Sequence, residues 1–273
     1  MTAVSEANNE ASLAQLLDLS GQVALVTGAG QGVGATIARY LAAQGAAVAV
    51  NDYRAERAES VAGQIRGDGG TAIAVPADVT DHPAVRSAVE RVSGELGPVS
   101  ILVNNAGNAG AEPRAGRRGP FWESEPADWE PFLAVNLHGV LACCRAVLPG
   151  MVHSGHGRLV TVISDAGRVG EAGMEAYSAA KAGAAGLMRA LARSLGRHQV
   201  TANCVAIGLT DTPTLAGVTG NPELTRKVLS NYLIRRVGRP SDAAAVVTLL
   251  ASPAGSWITG QTYPVNGGFS VSQ

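Results

Sequence analysis

The chain has 273 residues, a length that admits one large domain or two small ones. Its 21 basic and 22 acidic side chains nearly cancel and are spread along the sequence, so charge gives no basis for a nucleic-acid or membrane-surface partner. Hydrophobic residues make up 46% but aromatics only 4%, so the core must be mostly Ala, Val, Leu and Ile, as in layered helix–sheet proteins.

Residues 1–20 are polar and acidic and lack the basic start and apolar run of a signal peptide. They read as a mobile or loosely packed extension, in which 11–19 can form a short helix, before a single domain over 21–273. From there short β-branched runs recur at Val23–Val26, Ala47–Val50, Thr71–Val75, Ile101–Val103, Arg158–Ile163 and Val200–Val205, each the length of a strand buried on both faces. Helical spacing fills the intervals at Ala35–Ala43, Arg54–Arg66, Pro83–Glu95, Trp129–Met151 and Ala176–Gly196. This alternation implies right-handed crossovers and a single-domain α/β fold, a Rossmann-type doubly wound parallel sheet with helices on both faces. Ile258–Thr259 and Thr262–Val265 add an edge strand. No run approaches 18 consecutive apolar residues, so no membrane span is expected. Three cysteines, Cys143, Cys144 and Cys204, form no C-x-x-C pair and fit a reduced, cytoplasmic setting.

The first strand runs into Thr27-Gly28-Ala29-Gly30-Gln31-Gly32-Val33-Gly34 and then a helix. Glycines let backbone approach a pyrophosphate, and a helix N-terminus offers free N–H groups and partial positive charge. A nucleotide-triphosphate loop is excluded, because no Gly-Lys-Ser/Thr follows. About twenty residues on, the second strand ends in Asn51-Asp52. A carboxylate there can accept bonds from both adenosine ribose hydroxyls and repels a 2′-phosphate, which favours NAD over NADP; Arg54 argues the other way. A helix N-cap is the simpler account of Asp52, and the two roles are compatible.

In Tyr177-Ser178-Ala179-Ala180-Lys181, residues four apart share a helix face, so hydroxyl and ammonium point the same way. A free tyrosine titrates near pH ~10, and a neighbouring cation together with an oxidised nicotinamide can lower that. Alone the pattern is common by chance. Ser164, at the end of the strand 159–163, can stabilise charge on a substrate oxygen. Asn104-Asn105-Ala106-Gly107 ends another strand, and Asn136 sits mid-helix in an apolar setting where its amide needs a partner.

With these residues the chain resembles a short-chain dehydrogenase/reductase over about 20–269. Thr27, Gly28, Gly32 and Gly34 match the family's glycine loop, residues 104–107 its Asn-Asn-Ala-Gly, and Asn136, Ser164, Tyr177 and Lys181 its tetrad. The resemblance implies that Tyr177 exchanges the substrate proton and Ser164 polarises the carbonyl. It also implies that Lys181 holds the nicotinamide ribose and lowers the Tyr177 pKa, while Asn136 anchors a water relay. It assigns Gly28, Gln31, Gly32, Val33, Gly34, Asp52, Asp78, Val79, Asn104, Ala106, Gly107, Ile207, Gly208, Thr210 and Thr212 to the cofactor, with Asp78 and Val79 at the adenine. One departure is Ile207, where the family usually has proline, which implies a less rigid loop. A homotetramer built on 129–151, 176–196 and the C-terminal strand region is a further implication, and so is a mobile lid over 208–230.

The implied activity is interconversion of a secondary alcohol and a ketone, on an alicyclic or steroid-like frame, by NAD-dependent hydride transfer. Reduction of 3-oxoacyl thioesters or oxidation of 3-hydroxyacyl-CoA is the alternative within the class. A non-catalytic dinucleotide-binding scaffold is the alternative outside it, disfavoured because a scaffold needs none of the four tetrad residues. Other signals have plainer accounts. His153 and His156 lack further ligands, so no metal is expected. Arg114, Arg117 and Arg118 read as a solvated loop or an anion grip. Trp122 and Trp129 either wall the pocket or staple the loop.

Overall fold

The computed structural model describes residues 11–107, 120–213 and 220–271. Seven strands form one parallel sheet: β1 (Val23–Val26), β2 (Ala47–Asp52), β3 (Ala72–Pro76), β4 (Ile101–Asn104), β5 (Gly157–Ser164), β6 (Val200–Ile207) and β7 (Thr262–Val265). Their order is β3-β2-β1-β4-β5-β6-β7, with β7 at the edge expected for Thr262–Val265. Chain direction across the sheet reverses between β1 and β4, and ligands of open α/β sheets bind at that kind of point. β2 and β6 run two residues beyond their expected ends, to Asp52 and Ile207. Asp52 pairs with Pro76, and Ile207 with both Ser164 and Val265.

The crossovers are helices. α1 (Leu13–Leu17) precedes β1, and α2 (Gly32–Ala43), α3 (Ala55–Gly67) and α4 (His82–Glu95) follow the first three strands. After β4 come α5 (Pro126–Leu133), a π-helical turn (Ala134–His138) and α6 (Gly139–Ser154). The short α7 (Ala166–Val169) and long α8 (Glu175–Leu195) link β5 to β6, and α9 (Pro222–Leu229) and α10 (Pro240–Ala251) precede β7. One core packs α2, α3 and α10 on one sheet face, around Ile37, Leu41, Ile65 and Leu250. The other packs α4, α6 and α8 on the opposite face, around Val92, Val147, Met151 and Met188. Both use small aliphatic side chains, as the composition requires.

The helix expected over 129–151 is interrupted by the π turn, where a wider backbone loop carries Asn136; such turns recur at functional sites. Helical stretch Pro126–Ser154 (29 residues) is long and apolar enough to cross a membrane by length and composition, with a window of mean hydropathy 1.5. Its inner face, Val140, Cys143, Cys144, Val147 and Met151, is packed into the second core.

Packing also starts before residue 20. Leu19 is fully buried in the first core, and its amide donates to the Gln44 carbonyl at 2.7 Å. We expect Leu19→Ala to cost about 2–5 kcal/mol in equilibrium urea unfolding, the range for emptying a closed core site. A loss below about 0.5 kcal/mol would mean that the segment contributes no packing.

Candidate active site

A cleft of about 760 Å³ opens at the carboxyl ends of the strands. At its phosphate end lie Gly28, Gln31, Gly32 and Val33. Gly28 has φ +60°, and a Cβ there would stand 2.7 Å from Ala106 Cα, so only glycine lets the loop close on the end of β4. Thr27 Oγ1 accepts from the Asn105 and Ala106 amides at 3.0 and 3.1 Å, and Asn105 Nδ2 donates to the Thr27 and Gly28 carbonyls, both at 3.0 Å. Gln31, at the N-cap of α2, makes no side-chain capping bond, so no side chain caps that helix start.

Asp52 is buried at the end of β2. Its Oδ2 accepts from the Gly30 amide at 3.1 Å and its Oδ1 from the Arg54 amide at 3.0 Å. The N-cap of α3 is Arg54, so Asp52 braces the glycine loop instead of capping that helix. Arg54 folds on its neighbour, its Nε 3.1 Å from the Tyr53 hydroxyl and its guanidinium 5.4 Å from the ring centre. Asp78 and Val79 complete this end of the cleft. A close-approach glycine loop, an uncapped helix start and a buried carboxylate together fit a dinucleotide.

The other end brings β5 and α8 together. Ser164 terminates β5, accepts from the Ala166 amide at 3.2 Å and lines the cleft together with Tyr177. One helical turn past Tyr177, Lys181 is fully enclosed; its Nζ donates to the Val162 carbonyl at 3.0 Å and lies 5.9 Å from the Tyr177 ring centre. Asn136 donates from Nδ2 to the Phe132 carbonyl at 2.9 Å within the widened turn. A Cβ on Gly107 would stand 3.2 Å from Asn136 Oδ1 and 3.3 Å from Lys181 Nζ, so the three meet at one point.

Charge at this end is governed by burial. Loss of solvent pushes the Tyr177 phenol up, the Ser164 hydrogen bond pulls it down, and Glu171 adds a further push up. Burial also takes Lys181 from its ordinary value near 10.5 down to about 8. The expected lowering of Tyr177 by Lys181 is therefore not a property of the chain alone. The enclosed amine is itself short of charge near that pH, and desolvation of the phenol wins.

Gln31, Gly32, Val33, Ala106, Gly107, Ile207, Gly208 and Thr212 all line the cleft as the resemblance implies. Four of the implied residues do not. Gly34 packs under Asn105 and Gly28. Asn104 points through the sheet, donating to Thr161 Oγ1 at 3.2 Å, because neighbours on a strand alternate faces. Asn136 lies behind Gly107. Thr210 is held away by a bridge to Gly238 and by its own hydroxyl bond to the Gly208 carbonyl. Ile207, where proline is usual, is a paired strand residue that accepts from the Asp165 amide at 3.2 Å, so sheet pairing supplies stiffness that the missing ring does not.

Asn105, Arg57, Asp165, Glu171, Met174, Tyr232 and Phe269 also line the cleft, and six of them have no sequence motif to single them out. Asn105 alone had a signal, as the second amide of Asn-Asn-Ala-Gly. Trp129 stacks on Phe121 at 5.4 Å and donates to Ser124 Oγ at 2.7 Å, which is the staple, and Trp122 is 83% exposed. His156 is bonded to Gln22, and no metal-binding cluster exists among the described residues. Burial pushes the Cys144 and Cys204 thiols up to about 12, and Cys143 higher still, so all three are inert packing groups. Arg114, Arg117 and Arg118, and residues 214–219 of the implied lid, lie outside the described residues.

A family model described as enoyl-(acyl carrier protein) reductase matches residues 28–270. The cis-4-hydroxycyclohexanecarboxylate dehydrogenase of Sinomonas cyclohexanicum is 39% identical over 250 residues, 92% of this chain and 97% of that one. Among solved structures, a 7α-hydroxysteroid dehydrogenase complexed with NADH and 7-oxo glycochenodeoxycholic acid superposes with a TM-score of 0.87 at 35% identity, covering 94% of this chain and 98% of that one. A gluconate 5-dehydrogenase from Burkholderia cenocepacia J2315, in complex with NADP and tartrate, gives 0.87 at 31%, with coverage of 95% and 100%. The chain belongs to the short-chain dehydrogenase/reductase family. It is an oxidoreductase of the NAD(P)-dependent kind.

The lysine's burial has a measurable cost. Its charged form is disfavoured in the folded state, so folding loses stability below pH 8 and recovers it as pH rises from 8 towards 10.5. We expect Lys181→Met to stabilise the fold at pH 7 by an amount on the order of 3 kcal/mol. The gain should shrink towards pH 10 in paired thermal melts; a pH-independent difference would contradict it.

Proposed function

We propose that the protein is an NAD-dependent oxidoreductase interconverting a secondary alcohol and its ketone, on an alicyclic or steroid-like frame. The observation that carries this reading is that Ser164, Tyr177 and Lys181 meet at one end of the cleft, with Lys181 Nζ 5.9 Å from the Tyr177 ring centre. The named activities of similar proteins, on a hydroxycyclohexane acid and on a hydroxysteroid, support the ring-shaped substrate class.

The loop 28–33 would hold the pyrophosphate, Asp52 the adenosine ribose, Asp78 and Val79 the adenine. Ile207, Gly208 and Thr212 would hold the carboxamide, and Lys181 the nicotinamide ribose. When bound, the nicotinamide takes or gives the hydride. Ser164 donates to the substrate oxygen and fixes its position, and Tyr177 gives or takes the hydroxyl proton. Because burial holds Tyr177 protonated in the chain alone, it is ready as the acid for reduction; oxidation requires added positive charge beside it. Asn136, facing Lys181 across Gly107, is placed to anchor a water that hands the proton on.

The NAD preference rests on Asp52, whose carboxylate would face a 2′-phosphate at close quarters. Assembly as a homotetramer through α6 and α8 belongs to the same proposal, supported by Leu141, an exposed apolar residue on α6. So does a reducing, cytoplasmic location, supported by three unpaired buried thiols.

Tyr177→Phe should reduce kcat at least about a hundredfold while leaving the NAD dissociation constant within about twofold. Stopped-flow turnover of cyclohexanol and calorimetric titration of NAD would measure the two, and an unaltered rate would remove Tyr177 from the chemistry. Asp52→Ser should shift the kcat/KM ratio of NAD to NADP at least about tenfold towards NADP. An unchanged ratio would defeat the cofactor assignment.

A further inference from the structure

The residue after Ser164 is a buried carboxylate. Asp165 is 2% exposed and its backbone N–H donates to the Ile207 carbonyl, so it sits where β5 and β6 end. Both of its oxygens are used. Oδ1 pairs with Arg168 at 2.7 Å and accepts from the Ser270 hydroxyl at 3.1 Å, and Oδ2 accepts from Asn266 Nδ2 at 2.5 Å. Arg168 donates as well to Ser270 Oγ at 2.7 Å, and Asn266 Nδ2 also reaches the Ser270 carbonyl at 3.0 Å. A carboxylate one residue from the reaction floor thus grips the chain more than a hundred residues later, just past β7.

The grip fixes a tight return. Gly267 and Gly268 both have positive φ, and a Cβ on Gly268 would lie 2.8 Å from Leu233 Cβ. The Asn266 side chain accepts the Gly268 amide at 2.9 Å, and the Asn266 carbonyl accepts the Phe269 amide at 3.1 Å. Phe269 is thereby laid against Tyr232, ring centres 5.1 Å apart, and both line the cleft. Tyr232 is held in turn by its hydroxyl, which accepts the Leu209 amide at 2.8 Å.

We propose that Asp165 is a positioning residue, locking segment 266–271 so that Phe269 and Tyr232 form the aromatic wall that selects ring-shaped substrates. The proposal rests on the secondary-alcohol reading above for its substrate. An apolar wall of two rings gains area and contact from a cyclohexane-sized frame and almost none from a two-carbon branch. The carboxylate itself touches no substrate: with both oxygens spent, it acts through Phe269.

The test compares cyclohexanol with isopropanol. Asp165→Asn, Ser270→Ala and Phe269→Ala should each raise KM for cyclohexanol about three- to tenfold, and Ser270→Ala, outside the cleft lining, should leave kcat and the KM for isopropanol within about twofold. The double variant Asp165→Asn/Phe269→Ala should be no worse than Phe269→Ala alone, since the first change acts through the second. Hydrogen exchange at the 267–271 amides should quicken in Asp165→Asn and Ser270→Ala. If Asp165→Asn does not fold, Ser270→Ala carries both comparisons. Additive losses, an unmoved cyclohexanol KM or unchanged exchange would each overturn the proposal. Should the wild type oxidise neither alcohol, the secondary-alcohol reading falls. Cyclohexanone binding by saturation-transfer NMR then decides the wall: weaker binding by the variants supports it, and equal or absent binding overturns it.

Discussion

Everything at the cleft depends on one knot where the sheet changes direction. Two neighbouring parallel strands, β1 and β4, send their following segments to opposite faces, which leaves a crevice between them. A crevice of bare strand ends would expose unpaired backbone groups, so it needs bonds of its own. Thr27 and Asn105 supply them reciprocally: the hydroxyl at the end of β1 takes two amides beyond β4, and the amide beyond β4 takes two carbonyls of the glycine loop. Asp52 fixes the same loop from the β2 side through the Gly30 amide. The loop is thus held from both flanks before any ligand enters, and ligand binding need not bear the entropy of ordering it.

The reaction end solves a different problem, which is to keep polar groups dry without losing their function. Tyr177 and Lys181 sit on one face of α8, pressed against the end of β5, and burial moves each towards its neutral form. The fold bears that cost because the alternative, a wet lysine and a wet phenol, would be screened and mobile. Backbone partners limit the cost: Lys181 spends one donor on Val162, and Asn136 spends its amide on Phe132. Two groups near neutrality in one dry space respond strongly to any charge placed beside them, and a bound cation exerts its greatest effect in such a place.

What could be read from the sequence follows from how local each signal is. The strands were legible because burial on both faces demands apolar β-branched runs, and the glycine loop and Tyr177/Lys181 pair because their geometry is set within eight residues. Ser164 was legible as the end of a strand. The π turn was not, since it depends on how α5 and α6 meet the sheet, and no residue type marks it. The Asn104-Asn105 pair does not itself say which amide meets the cleft; the strand's alternation at its last residue puts Asn105 there. The chain alone also does not carry the lowering of Tyr177 by Lys181. Spacing gave their proximity, but the sign of the net effect belongs to burial, which a sequence does not display.

The aromatic residues show how the fold divides its labour. Flat α/β layers a residue or two thick are filled by Ala, Val, Leu and Ile, and larger rings would force helix and sheet apart. Such rings are few here, and several gather at the reaction end: Phe132 stands edge-on to Tyr177 at 6.3 Å, and Tyr232 meets Phe269 at 5.1 Å. Each comes from a different stretch of chain, on α5, on α8, after α9 and after β7. The rings at the reaction end are therefore assembled from stretches far apart in sequence. Replacing Phe132, Tyr232 or Phe269 would reshape that end without touching the loop, the serine or the tyrosine. Fold alone does not fix the substrate, and proteins similar to this chain are named for a hydroxycyclohexane acid, a hydroxysteroid and gluconate.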